Sequence, residues 1–449
     1  MMRRDPSPAF DETPVAPPAN NAPLFSPASG NAKRFYEYGG IAQRLEQAAH
    51  NCLVHGSNPC TPIFKRPALR TTPPWTGAAP FCAQEKMAED EMFFLSRITH
   101  HSSLLLMKFS FRLLARIAFL LLVLSLLAGG GALAWFTSWR SDKIATLDTG
   151  SEMAKTRAGA VEFLTRGEGP PVLVFHGAPG GYDQAMLLGS GLLDAGFQII
   201  APSRPGYLRT PLATGLLPEQ QADALAALLE TLGLQSVAVL AGSAGAPAAI
   251  QFAVRHPQRV WALVLLSPVT KAFVPYAKIK GSEFGRVVLS GLTGDIGSWL
   301  AVEMAEKDPR KMLEWTLERT SAATQREIIL NSVLQPGNRG QLEWFRSLIG
   351  TFAPLSPRES GARNDLIQMR ALPELPLARI STPTLIVQGA DDVCVLPAET
   401  EVAAAKIPKA TVFSVPGAGH IVQIGPGADD VQKKITGFLK QHSGGNPQP

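Results

Sequence analysis

Ser236-Val-Ala-Val-Leu-Ala-Gly-Ser-Ala-Gly-Ala-Pro-Ala-Ala-Ile250 is the stretch that decides how this chain is read. Its first part, Ser236 to Leu240, is a short apolar run of the kind that forms a buried strand. Its last part, Ala246 to Ile250, is small and suited to a helix packed close to its neighbours. Between them Gly242-Ser243-Ala244-Gly245 offers an abrupt turn of small residues around one hydroxyl. A serine on such a turn pushes its hydroxyl outward only from a strained backbone, and that demands very small residues two places before and two after it. Ala241 and Gly245 stand there; glycine at both is the usual pattern, so Ala241 is a mild departure. Strand, tight serine turn and helix in this order form the layout of a nucleophile elbow.

A serine hydroxyl is a poor nucleophile near neutral pH and needs a base to take its proton and an acid to orient that base. The chain supplies both downstream. The apolar run Pro383-Thr-Leu-Ile-Val387 is followed by Gly389-Ala-Asp-Asp392, and Ala410-Thr-Val-Phe-Ser-Val415 by Gly417-Ala-Gly-His420. Both acid and histidine therefore sit just past the C-terminal end of an expected strand, where open α/β sheets collect their sites. The other histidines have duller places. His176 shapes a loop, His256 ends a helix, His442 is in a polar tail, and His50, His55, His100 and His101 lie upstream.

An oxyanion formed at an attacked carbonyl needs hydrogen-bond donors, each typically worth about 3 kcal/mol of barrier. One candidate is the backbone N–H of Ala244, directly after the serine. The other is the N–H of Ala178, in the turn His176-Gly-Ala-Pro-Gly-Gly181 that follows the strand-like Pro171-Val-Leu-Val-Phe175.

With these pieces in view, the chain from about Ala160 to Leu439 resembles the α/β-hydrolase superfamily. The matching segments are His176-Gly-Ala-Pro-Gly-Gly181, Ser203-Arg-Pro-Gly-Tyr-Leu-Arg-Thr210, Ala241-Gly-Ser-Ala-Gly245, Gly389-Ala-Asp-Asp392 and Gly419-His420. The order serine, acid, histidine is that family's. The resemblance implies Ser243 as nucleophile, His420 as base, Asp392 as orienting acid, and Ala178 and Ala244 as oxyanion donors. It also implies a helical lid between about 268 and 377. Many relatives carry an acid where Ser203 stands. The proline after the acid lies one place late, at Pro397, which keeps Asp391 open as a substitute for Asp392.

The expected fold is α/β: a mostly parallel sheet with helices on both faces and a lid. Strands are expected at 161–165, 171–175, 197–201, 236–241, 260–266, 383–388 and 410–415, and helices near 184–195, 218–232, 245–255, 397–406 and 427–440. The domain itself is expected over 160–440, ahead of a flexible tail at 441–449. Trp299, Met304, Met312, Trp315 and Trp344 are read as packing residues of the lid.

The N-terminal third reads differently. Residues 1–30 are rich in proline and asparagine, and Gly39 to Pro62 resembles a translated tRNA gene, so residues 1–106 are expected to be disordered or spurious, with the true start at Met107, Met92 or Met87. Lys108, Arg112 and Arg116 then precede Ile117 to Phe136, about twenty residues without a charge, enough to cross a hydrocarbon core as a helix. Residues 107–140 are read as a transmembrane anchor that leaves the enzyme domain extracytoplasmic. Ala132-Leu133-Ala134 also fits a signal-peptidase site that would release it, and the Gly129-Gly-Gly131 run also fits a buried core helix.

The hydrolase region keeps one cysteine, Cys394, so no disulfide within it is available. No Cys/His grouping has metal-ligand spacing and no phosphate-binding loop appears; neither cofactor nor metal is expected. The net charge of +5 draws on the leader and juxtamembrane arginines and does not argue for nucleic acid. The chemistry expected is hydrolysis of an acyl bond, most simply an ester, in a small-molecule substrate. A proline-iminopeptidase-like activity is a minority reading, because those relatives carry tryptophan where Ala244 stands. Carbon–carbon hydrolysis and perhydrolysis use the same three residues. A non-catalytic, anchored binding module is the alternative from another class.

Overall fold

Apolar runs that the sequence marks as buried line up here as neighbouring strands of one sheet. The structure, a computed structural model, describes residues 82–272 and 291–443; the leader reading for 1–81 and the tail reading for 444–449 lie outside them, whereas 82–106, also expected to be disordered or spurious, and 441–443 are helical. Two compact units divide between Ser102 and Ser103; apart from the first part of helix α1, everything below concerns the second. In chain order the elements are helix α1 (Cys82–Thr149), strands β1 (Glu152–Thr156), β2 (Gly159–Arg166) and β3 (Pro171–Phe175), helix α2 (Tyr182–Leu193), β4 (Gln198–Pro202), α3 (Pro218–Thr231), β5 (Val237–Gly242), α4 (Ala246–Arg255) and β6 (Val260–Leu266). There follow α5 (Gly291–Lys307), α6 (Pro309–Thr320), α7 (Arg326–Val333), α8 (Arg339–Gly350) and α9 (Glu359–Arg370), then β7 (Thr384–Gly389), α10 (Pro397–Lys406), β8 (Ala410–Val415) and α11 (Ala428–Ser443).

The sheet has eight strands in the order β1-β2-β4-β3-β5-β6-β7-β8. The β1/β2 and β2/β4 pairs are antiparallel and the rest parallel. Parallel neighbours need crossovers, and the crossover helices cover both faces. Side chains alternate accordingly. Leu173 and Phe175 face the core formed with α3, α4 and α10, whereas Val172 and Val174 face the core formed with α2 and α11. The central strands β3, β5 and β7 are buried along their whole length, which is why they were legible as continuous apolar runs.

One strand escaped the sequence reading. Glu152-Met-Ala-Lys-Thr156 is the outermost strand, and only Ala154 of it is buried. A polar edge strand gives no apolar run to detect.

Helices α5 to α9 fill the interval between β6 and β7. Helices α5 to α8 close over a core of their own, with Met312, Leu313, Leu317, Ile329, Leu330 and Phe345 at its centre, whereas α9 sends Met369 into the core under the sheet. Trp315 and Trp344 pack against it. Trp299 packs elsewhere, against Trp135, Phe136 and Trp139 of α1. Helix α1 runs past the expected boundary at residue 140 to Thr149, where Gly150 ends it and the chain turns into β1. Its apolar window is not covered by the protein. That exposure corrects the buried-core reading of the glycine run.

Candidate active site

Strand β5 delivers Ser243 into the left-handed region at φ +48°, where a side chain other than glycine's is held at a cost of roughly 1–2 kcal/mol. Two features sustain the strain. Ala241 is completely buried, between Phe175 on β3 and Leu265 on β6. At Gly245 a Cβ atom would stand 2.6 Å from the His176 carbonyl oxygen and 2.7 Å from that of Phe175. Helix α4 thus approaches the end of β3 so closely that only glycine fits. The departure at Ala241 is absorbed because its methyl points into a core that accepts it.

His420 lies between the other two candidates. Its Nε2 is 2.9 Å from Ser243 Oγ and its Nδ1 is 2.8 Å from Asp392 Oδ2. With the carboxylate ionised, Nδ1–H donates to Asp392 and Nε2 accepts from the serine hydroxyl. The Asp392 side chain is fully buried. Its Oδ1 accepts from the N–H groups of Cys394 at 2.7 Å and Val395 at 3.0 Å, and its Oδ2 also accepts from Gln388 Nε2 at 3.0 Å. Gln388 is itself held by the Thr400 hydroxyl at 2.7 Å. Asp391, the substitute kept open by the late proline, uses only its backbone here: its N–H donates to Ala418 and its carbonyl accepts from Ala322. The backbone of His420 is held from α6, since its N–H donates to the Thr320 carbonyl, and from just beyond β6, since the Ser267 hydroxyl donates to the His420 carbonyl.

Cys394 sits beside this chain, and the potential ligand atoms of Asp392, Cys394 and His420 lie within 4.8 Å of one another. Burial and the neighbouring Asp392 push the thiol up to about 12, and it donates to the Arg319 carbonyl. A protonated thiol is a poor metal ligand, and Asp392 Oδ1 is already taken by backbone donors. The set fits hydrogen bonding better than ion binding.

The loop carrying Ala178 is clamped on both sides of that residue. The Gly177 N–H donates to Gln184 Oε1 at 2.8 Å, and Gln184 Nε2 donates to the Pro179 carbonyl at 2.8 Å. Below it, His176 is wholly buried. Its Nδ1–H donates to the Gly177 carbonyl at 2.7 Å and its Nε2 accepts from the Arg204 N–H at 2.9 Å. Burial, and then the charge of Arg204, hold this imidazole well below its ordinary range, so it stays neutral. Arg204 also donates to the His176 carbonyl at 3.0 Å and pairs with Asp365 of α9, which in turn accepts from the Tyr207 hydroxyl. From the cap, Arg358 donates to the Gly180 carbonyl and to both oxygens of Asp183.

The missing acid at Ser203 is replaced from another strand. Ser203 Oγ caps α2 by accepting from the Tyr182 N–H at 3.0 Å and donates to Glu162 Oε2 at 2.7 Å. Glu162, on β2, is fully buried and is charge-paired by Arg209 at 2.7 Å. Gln184, Gln388, Arg358, Asp365 and Glu162 are residues that sequence reasoning did not single out.

With the geometry established, comparison with known proteins adds the family. The profile of the alpha/beta hydrolase fold matches residues 170–426, more than half of the chain. The chain belongs to the alpha/beta hydrolase fold family. Among alpha/beta hydrolases, the uncharacterized hydrolase YcgS of Bacillus subtilis (strain 168) is 29% identical over 286 residues, covering 63% of this chain and 95% of that protein. The alpha/beta hydrolase fold protein from Nakamurella multipartita superposes with a TM-score of 0.59 at 30% identity, covering 66% of this chain and 100% of that one. A 2-hydroxy-6-oxononadienedioate/2-hydroxy-6-oxononatrienedioate hydrolase of Pseudomonas putida is 31% identical over 152 residues, covering 32% of this chain and 52% of that hydrolase. The match to that last relative thus spans about half its length. The chain shares its fold with the Nakamurella multipartita protein, and the Bacillus subtilis and Pseudomonas putida relatives are both named as hydrolases.

Proposed function

We propose that this alpha/beta hydrolase cleaves an acyl bond, most simply an ester, through Ser243, His420 and Asp392. The observation that carries the reading is the position of the His420 ring, with one nitrogen at the serine hydroxyl and the other at the buried carboxylate. His420 Nε2 takes the hydroxyl proton as Ser243 Oγ attacks the carbonyl carbon, and the imidazolium formed is stabilised by Asp392. The oxyanion that develops is met by the N–H groups of Ala178 and Ala244. His420 then gives its proton to the leaving alkoxide, and water releases the acyl group by the same steps in reverse.

The charge-free part of α1 anchors the enzyme in a membrane, with Lys108, Arg112 and Arg116 on the cytoplasmic side and the hydrolase domain beyond the bilayer. Support comes from an apolar helix window that lies exposed among the described residues. Were cleavage to occur after Ala134, the remaining chain would start at Trp135 and keep the contacts made beyond it.

A fluorophosphonate probe tests the nucleophile: wild type is labelled and Ser243→Ala is not. Absence of labelling on folded wild type would favour a non-catalytic binding module instead. Ser243→Ala and His420→Ala are each expected to lower turnover by about 10⁴-fold or more with the fold retained. The similarity to the Pseudomonas putida hydrolase supports a second reading, carbon–carbon cleavage by the same three residues. A screen of esters graded in chain length against vinylogous 1,5-diketones separates the two.

A further inference from the structure

Helix α5, the first described helix between β6 and β7, has apolar side chains that the described residues leave exposed. Ile296, Leu300 and Met304 fall four residues apart, so they form one stripe along the helix, and they are 36%, 52% and 37% exposed. Lys307, ion-paired with Glu303 at 2.8 Å, reaches α1 from the stripe's own face, and the side of the helix next to this stripe meets α1. There Trp299 meets Trp135 edge-on with centroids 5.1 Å apart, and lies 5.5 Å from Phe136 and 6.4 Å from Trp139. Asp295, fully buried, pairs with Arg140 at 2.6 Å. Lys307 places its ammonium 5.0 Å over the Trp135 ring.

These contacts set the direction of α5. Asp295 is level with Arg140 and Lys307 is level with Trp135, so α5 runs back along α1 towards the apolar span. Its C-terminal half, carrying Leu300 and Met304, therefore lies towards the charge-free stretch of α1. Tryptophan and lysine are the residues that mark such a boundary. An exposed apolar stripe continuous with a membrane-spanning helix, rimmed by a lysine lying on a tryptophan, fits a lipid surface.

We propose that the Ile296–Leu300–Met304 stripe of α5 rests in the interface of the bilayer that holds α1, so that the cap docks on the membrane. This rests on the anchor reading of α1. The apolar side chains of Leu300 and Met304 then lie at headgroup level, beside Trp135 and Lys307. Docking also fixes one wall of the cap. Asp295 accepts from the N–H and hydroxyl of Ser356, two residues before Arg358, which holds the Gly180 carbonyl of the oxyanion loop.

The test uses the full chain, with Cys52, Cys60 and Cys82 replaced by serine and the buried Cys394 retained. It is reconstituted in vesicles of phosphatidylcholine and phosphatidylglycerol, with phosphatidylcholine spin-labelled on its acyl chain as quencher. An environment-sensitive fluorophore is placed in turn at Leu300→Cys, Met304→Cys, Leu122→Cys within the span, and Val412→Cys on β8, at the opposite edge of the sheet from β1. Quenching of about half or more is expected at 300, 304 and 122, and little at 412. Quenching at 122 with none at 300 and 304 overturns the docking proposal and leaves the anchor standing. No quenching at 122 overturns the anchor reading and the docking with it. Two stripe positions are used so that a local effect of one label does not decide the result.

Discussion

Gln184 shows how much of the site depends on a side chain with no chemistry of its own. By binding Gly177 N–H and the Pro179 carbonyl it holds the backbone on each side of Ala178, and so directs the Ala178 N–H, an oxyanion donor in the proposed mechanism. Losing one oxyanion donor typically costs about 10²–10³-fold in turnover; a misaimed donor costs less. Gln184→Ala is accordingly expected to lower kcat by about 10–100-fold with KM little changed, and a shift confined to KM would count against this role. His176 below the same loop carries a pH dependence. It is neutral when folded, well below the 6.5 at which the unfolded chain takes its proton. Below about 6.5 the unfolded state therefore binds more protons, so the contribution is fully present above that pH and declines by up to about 1.4 kcal/mol per unit as pH falls towards the folded value. Thermal melts from pH 7.5 to 5 should show this slope in wild type. It should flatten in His176→Gln, which keeps a donor and an acceptor without titrating.

Among the elements, those legible in the sequence were the ones whose burial leaves a one-dimensional trace. Strands β3, β5 and β7 are covered on both faces and read as unbroken apolar runs, while β1 at the edge does not. Ser243, Asp392 and His420 were legible because each sits just past a strand end, and strand ends are easy to find. Gln388, Gln184 and Asp365 were not, because what matters about them is a partner that only the folded sheet brings near. Asp365 and Arg204 are far apart in sequence yet share a buried ion pair. The departure at Ser203 could be seen, but not its remedy, since Glu162 lies on another strand. The elbow itself depends on packing between elements. Gly245→Ala would press a methyl against the carbonyls of His176 and Phe175, and backbone does not yield as a side-chain tip does. A loss of roughly 2–4 kcal/mol is expected, together with loss of fluorophosphonate labelling, because moving α4 also moves Ser243. Chemical denaturation of that variant checks the first and the probe checks the second.

For the whole molecule, the end of α1 belongs to the hydrolase domain as much as to the apolar stretch that precedes it. Phe136 is only 3% exposed, Tyr182 donates to the Leu147 carbonyl at 3.0 Å, and Arg140 supplies the charge partner of the buried Asp295. A chain beginning at Trp135 retains all of these; one beginning at Ser141 loses Phe136, Trp139 and Arg140. Burying a phenylalanine is worth about 1.5–3 kcal/mol, and leaving a buried carboxylate without its arginine adds to that loss. The addition is tempered because Arg140 is itself one-third exposed. In a domain of this size each kcal/mol moves the melting temperature by about 2–4 °C. The Ser141 start should therefore melt about 10 °C below the Trp135 start, and the Trp135 start should match the chain from Met107 in detergent. Asp295→Asn in the Ser141 chain should recover part of the difference by removing the stranded charge, which a merely shorter hydrophobic contact would not allow. Equal melting temperatures for the two truncations would mean that the helix end is a tether and nothing more.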